Sequence, residues 1–160
     1  MNQSCRFCEE NIMHKSSFFE NEYFYAIFDR HPVSSGHALI IPKRHIVSFF
    51  DLSPIEWQEL FTFLKKAVSL VESTDLKVLY TDFIKNSVSE KSTLFCTKIL
   101  ESGNTNRKPD GYNFGNNDGV AAGRTIHHLH IHIIPRYIGD VENPIGGIRN
   151  IIPGMGDYKV

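Results

Sequence analysis

From Tyr23 to Asp29 the chain reads Tyr-Phe-Tyr-Ala-Ile-Phe-Asp before Arg30-His31-Pro32 interrupts it. Aromatic and branched residues suit a pleated surface, so this run predicts a strand followed by a turn. A second apolar run, His37-Ala38-Leu39-Ile40-Ile41, lies between Ser34-Ser35-Gly36 and Pro42. The connection is short, which predicts an antiparallel hairpin. At Ser53-Pro54-Ile55-Glu56 a capping hydroxyl, a proline at the first helical position and a glutamate three residues after the cap together start a helix. Its apolar stripe is predicted as Trp57, Leu60, Phe61, Leu64, Ala67, Val68 and Val71, spaced three or four apart.

The stretch from Ser73 to Pro109 mixes apolar and polar blocks and is predicted as mostly helix, followed by an exposed loop across Ser102 to Gly111, which is dense in turn formers. Two more strands are predicted, Tyr112 to Asn116 and Thr125 to Pro135, joined by the segment Asn117 to Gly123. The whole reads as an α+β fold, an antiparallel sheet with helices packed on it, in a single domain spanning residues 1–160.

Composition narrows the function classes. With 41% hydrophobic and 22% charged residues and a formal net charge of -1, nothing favours disorder or bulk attraction to nucleic acid. No run reaches the roughly 20 apolar residues of a membrane helix. The opening Met1-Asn2-Gln3-Ser4-Cys5 lacks a signal-peptide pattern. The expectation is a cytoplasmic protein without membrane or nucleic-acid partners. The three cysteines, Cys5, Cys8 and Cys96, are an odd set that argues against a disulfide framework. The close pair Cys5-Arg6-Phe7-Cys8 invites a metal reading, with reduced surface thiols or a redox pair as alternatives.

The chemistry concentrates in His128-Leu129-His130-Ile131-His132. In a strand, alternate side chains share one face about 6.6 Å apart, so the three imidazoles are predicted to line one side. Leu129, Ile131 and Ile133 then enter the core, and His127 points with them. Neutral imidazole is a nucleophile near neutral pH, and a neighbouring imidazolium stabilises phosphate charge. Phosphoryl or nucleotidyl transfer fits that equipment; the bland alternative is a half-buried strand whose polar face happens to carry histidine.

The run His128-Leu129-His130-Ile131-His132-Ile133-Ile134 resembles the His-x-His-x-His-x-x signature of the histidine-triad (HIT) superfamily. The resemblance extends to Cys5-Arg6-Phe7-Cys8, to Phe28-Asp29 with Gly36 through His45, to Asp110-Gly111-Tyr112-Asn113, to Gly119–Gly123 and to Pro135-Arg136-Tyr137. Within the superfamily it resembles microbial hydrolases of the diadenosine tetraphosphate type.

That resemblance implies a division of roles. His130 inherits the nucleophile that attacks the α-phosphorus of a nucleotide, and His132 a phosphate contact. Asp29 would bind the ribose hydroxyls, Ile27 and Phe28 would flank the base, and Asn117 would bind phosphate. His37 would act from behind the site. For a structural zinc, which favours four nitrogen or sulfur ligands, the resemblance adds His45 and His128 to Cys5 and Cys8. His128 then serves as a ligand rather than an acid or base.

A homodimer is likewise implied. The leading expectation is a hydrolase of dinucleoside polyphosphates or related nucleotide conjugates. Its alternatives are a nucleoside phosphoramidase, a nucleotidyl transferase or phosphorylase using the same histidine, and a zinc-stabilised nucleotide-binding regulatory protein. Four departures stand out. Arg124 occupies a position where glutamine is common and either strengthens phosphate binding or lies outside the pocket, His127 is a fourth imidazole if it does not face the core, the segment around 78–108 is longer than in compact members, and Ile145 stands where arginine is common.

Overall fold

The computed structural model describes residues 5–157, so Met1 to Ser4, used above against secretion, lie outside the described residues. Five strands form one antiparallel sheet in the order β1-β2-β3-β5-β4. They are β1 (Ser17–Glu20), β2 (Phe24–Phe28), β3 (Ala38–Pro42), β4 (Gly111–Gly115) and β5 (Ile131–Arg136). Three helices, α1 (Pro54–Ser73), α2 (Leu76–Lys85) and α3 (Glu90–Glu101), lie between β3 and β4. This is the predicted α+β architecture, with the β2–β3 hairpin as expected and 73–109 mostly helical. β1 was not anticipated from the sequence. None of the described helices is long and apolar enough to cross a membrane.

Every residue of β2 and of β3 is buried. They read as near-continuous apolar runs because both faces of the sheet are covered there. On one face Phe24, Ala26, Ala38, Ile40, Ile131 and Ile133 pack against α1, α2 and α3. On the other, Tyr25, Ile27, Leu39 and Ile41 pack against Phe7 and the N-terminal arm.

Helix α1 starts at the predicted capping box, with the Ser53 hydroxyl accepting from the Glu56 N–H and the Glu56 carboxylate accepting from the Ser53 N–H. Its buried stripe is Glu56, Leu60, Phe63, Ala67 and Val71. Leu64 and Val68 are half-buried against the core as expected, but Trp57 and Phe61 are 47% and 67% exposed. The predicted stripe was therefore rotated. Its true first member is a carboxylate, which reads as polar in sequence and is tolerated in the interior because Arg44 meets it through two hydrogen bonds of 3.1 and 2.8 Å. Trp57 instead stacks on Phe49, 5.4 Å between centroids.

The last predicted strand is shorter than expected: β5 begins at Ile131, and Thr125 to His130 run without regular pairing. Leu129 still bonds across, its N–H donating to the Ile46 carbonyl at 2.6 Å. Leu129, Ile131 and Ile133 enter the core as the alternation required. His127 does not join them; it is exposed, because it lies ahead of the alternating segment where no neighbouring strand holds a face.

Candidate active site and metal centre

On the sheet face away from α1, a cleft of about 550 Å³ opens over β2, β3 and β5. That volume is in the range of small-molecule sites. Ile27, Phe28 and Asp29 from the end of β2, Leu39 from β3, and His130 and His132 line it. Asn117 and Ile126 come from the connection before β5, and Phe7 and Ile12 from the N-terminal arm.

The three alternating histidines occupy three different environments. His128 is fully buried. One ring nitrogen, Nε2, faces the Pro42 carbonyl at 2.8 Å and donates to it, so the lone pair sits on Nδ1. That Nδ1 lies 3.3 Å from Cys5 Sγ and 3.5 Å from Cys8 Sγ. His45 Nδ1 lies 3.3 Å from Cys8 Sγ. All four donor atoms fall within 4.8 Å of one another. Tetrahedral zinc with ordinary bond lengths separates a sulfur from a nitrogen ligand by about 3.6 Å.

Donor chemistry, spacing and the carbonyl behind His128 therefore fit a bound zinc. Burial and the neighbouring Cys5 thiol push Cys8 up to about 11. A cation between the two sulfurs would offset that cost and hold both as thiolates. Cys5, Cys8, His45 and His128, predicted from the sequence and the resemblance, are thus brought together as a cluster that could hold a metal.

His130 is turned the other way. Its Nδ1–H donates to the His128 carbonyl at 2.8 Å, two residues back along its own chain. This leaves the Nε2 lone pair on a ring that lines the cleft. Phe7 packs edge-on against this ring, 5.5 Å between centroids.

His132 is held from behind by His37. The Val33 N–H donates to His37 Nδ1 at 3.3 Å, so the His37 proton is on Nε2, which lies 2.9 Å from His132 Nδ1. The Asp29 carboxylate stands 3.6 Å from the same His37 Nδ1, too long to compete for it. The chain of donors fixes the last proton of His132 on Nε2, as a hydrogen-bond donor on a ring that lines the cleft.

Burial lowers the pKa of both rings, and the neighbouring imidazoles add to the effect on His132, which falls to about 4. Near neutral pH these groups act as neutral donors. Asp29 accepts from the His31 N–H at 2.8 Å through one oxygen and lines the cleft.

Arg124 does not reach the cleft. Asp118 holds it at 3.6 Å, and it donates to the Val47 carbonyl at 3.2 Å. His37 also stays out of the cleft lining, 3% exposed and acting only through His132. The helical segment, whose purpose was open, braces the loop after β2. The Ser92 hydroxyl donates to the Arg30 carbonyl at 2.5 Å, the Gly36 N–H donates to the Tyr80 hydroxyl at 2.8 Å, and the Arg30 guanidinium stacks 4.0 Å over Phe83. Asp82, Phe83 and Val88 form part of the cleft wall. Sequence reasoning missed these, and also Arg6, Phe7, Ile12, Lys15 and Arg30. The one available signal was that Arg6 and Phe7 stand between two predicted ligands.

The HIT domain family model matches residues 11–139. The chain belongs to the HIT family. It is 32% identical over 136 residues to an uncharacterised HIT-like protein of Mycoplasma genitalium, covering 84% of this chain and 74% of that one. It is 30% identical over 132 residues to a bis(5'-adenosyl)-triphosphatase of Dictyostelium discoideum, covering 82% of this chain and 67% of that one. Among solved structures, a HIT family protein from Bacillus anthracis superposes with a TM-score of 0.56 at 28% identity, covering 86% of this chain and 77% of that one. The HIT family match spans both the triad and the β2–β3 hairpin. Cys5 and Cys8 lie ahead of it, so the completed metal cluster is a finding of the tertiary structure.

Proposed function

We propose that this HIT-family protein is a nucleotide hydrolase that cleaves dinucleoside polyphosphates or related nucleotide conjugates at the α-phosphate. The observation that carries the reading is the hydrogen bond from His130 Nδ1 to the His128 carbonyl, which commits the free Nε2 lone pair to the cleft. In the reaction, Nε2 attacks the α-phosphorus and the bond from that phosphorus to the bridging oxygen breaks. The leaving phosphate departs with the electron pair. Nδ1 keeps its proton, so the attacking ring, once bonded to phosphorus, carries positive charge against the carbonyl that already accepts from it.

His132 Nε2–H donates to a phosphate oxygen as charge builds there. Water then attacks the phosphorus, the P–N bond breaks, neutral His130 is restored and the proton from water is released with the nucleotide. Asp29 accepts hydrogen bonds from the ribose hydroxyls, Ile27 and Phe28 contact the base, and Asn117 donates its amide to phosphate. A zinc ion on Cys5, Cys8, His45 and His128 would tie the N-terminal arm to the catalytic segment. The name of the Dictyostelium relative supports the same substrate class.

The test is product analysis with diadenosine triphosphate, diadenosine tetraphosphate and adenosine 5'-phosphoramidate, for wild type, His130→Ala and His130→Gly. The expected outcome is release of the nucleoside monophosphate by wild type and a loss of about 10³-fold or more in both variants. Equal turnover by wild type and variants would sink the nucleophile assignment. Inorganic phosphate in a parallel reaction reveals phosphorolysis as nucleoside diphosphate.

A further inference from the structure

Among the described residues, ion pairs with carboxylates engage six of the seventeen lysines and arginines, namely Lys43, Arg44, Arg107, Lys108, Arg124 and Arg136. The others include three in the cleft. Arg6, Lys15 and Arg30 all line it, and none has a carboxylate within ion-pair distance among the described residues. Arg30 is committed to Phe83 and to the Asn86 carbonyl. The Arg6 and Lys15 side chains make no hydrogen bond or ion pair among the described residues.

Two carboxylates share the lining. Asp29 accepts from the His31 N–H, and Asp82 accepts from the Asn86 amide at 2.9 Å. The lining thus holds three cations against two carboxylates beside His130 and His132. An excess of positive charge in a concave site favours an anionic ligand.

Arg6 and Lys15 both belong to the N-terminal arm. Arg6 opens the 3-10 turn Arg6–Cys8, and the next residue, Phe7, is 3% exposed and rests edge-on against His130. The Arg6 backbone is therefore one residue from a buried contact with the attacking ring. Lys15 ends the following turn, Asn11–Lys15, just before β1. Both positions are set by packed backbone while the side chains stay free to meet a ligand.

We propose that the N-terminal arm is a polyphosphate-binding wall, in which Arg6 and Lys15 contact the phosphates beyond the one attacked by His130. This rests on the nucleotide reading given under Proposed function and narrows it to ligands carrying a chain of three or more phosphates. A phosphoramidate or nucleoside monophosphate has no phosphate beyond the one facing His130 to offer these side chains. Each contact adds an ammonium or guanidinium to a phosphate oxygen at the cleft rim, where screening by salt is strong.

Calorimetry on the full-length protein with AMP and with a methylene-bridged, non-hydrolysable diadenosine tetraphosphate tests this. Wild type is expected to bind the tetraphosphate analogue about tenfold more tightly than AMP, a preference of about 1.4 kcal/mol that shrinks as salt rises. Arg6→Ser/Lys15→Ser is expected to reduce the preference to about twofold or less while AMP affinity moves by less than twofold. Arg6→Lys/Lys15→Arg should retain it. An unchanged melting temperature in both double variants separates charge from folding. Equal binding of the two ligands by wild type, or a tenfold preference kept by the Ser/Ser variant, overturns the proposal and leaves the nucleotide reading standing. Failure to bind AMP as well overturns both.

Discussion

Gly36 sits where the loop after β2 turns into β3, one residue before the histidine that orients His132. Its φ is +82°, in the left-handed region. A Cβ added there would stand 2.9 Å from Val71 Cγ1 and 3.2 Å from Pro135 Cγ. Gly36→Ala therefore meets two penalties. The left-handed backbone costs an L-residue about 1–2 kcal/mol, and crowding against a helix and a strand that are both packed costs about 1–3 kcal/mol. Relief requires α1 or β5 to shift, because Val71 is 2% exposed and closes the core beneath the loop.

The expected loss is about 2–5 kcal/mol, which for a chain of this size lowers the melting temperature by roughly 5–20 °C. Urea unfolding of wild type and variant, with the slope compared to show that the unfolded reference is unchanged, reads this directly. The same variant should lower kcat more than it raises KM, since the displaced neighbour is His37 rather than a ligand-contacting group. A variant within about 0.5 kcal/mol of wild type would refute the close approach of α1 to the loop. The bracing of His37 would then need another source.

Two further predictions concern protons and metal. His132 stays neutral down to about 4 in the folded protein, whereas a free imidazole takes its proton near 6.5. Between those values the unfolded chain binds more protons, so stability rises with pH across the window and levels off above it. The contribution of His132 is about 3 kcal/mol. Urea unfolding from pH 4.5 to 7 should show a steeper pH dependence in wild type than in His132→Gln, and identical profiles would contradict the buried neutral ring. Elemental analysis is expected to find one zinc per chain in wild type and none in Cys8→Ser, whose melting temperature should fall by roughly 5–10 °C in micromolar zinc. Metal retained at wild-type stoichiometry would disprove the ligand set.

Much of the site was legible because its signals are local. Alternation of His130 and His132 with Ile131 and Ile133 is a property of extended backbone, and the β2–β3 hairpin follows from two apolar runs joined by a short turn. The capping box at Ser53 and Glu56 is likewise a matter of spacing. The register of α1 was misread, since the buried Glu56 depends on Arg44, twelve residues away in sequence, and no periodicity reports a distant partner.

Residue type and spacing thus determined the β2–β3 hairpin and the general place of β4 and β5, the alternation of the histidines and the pair of thiols, but not β1. Tertiary structure alone decided which ring nitrogen each histidine offers, because that depends on the carbonyls of Pro42 and His128 and on the Val33 N–H that happen to lie behind the rings. It also decided that Arg124 faces Asp118 and not the cleft. Arg6 and Lys15 line that cleft because the arm folds back over a sheet face that the strands cannot close themselves.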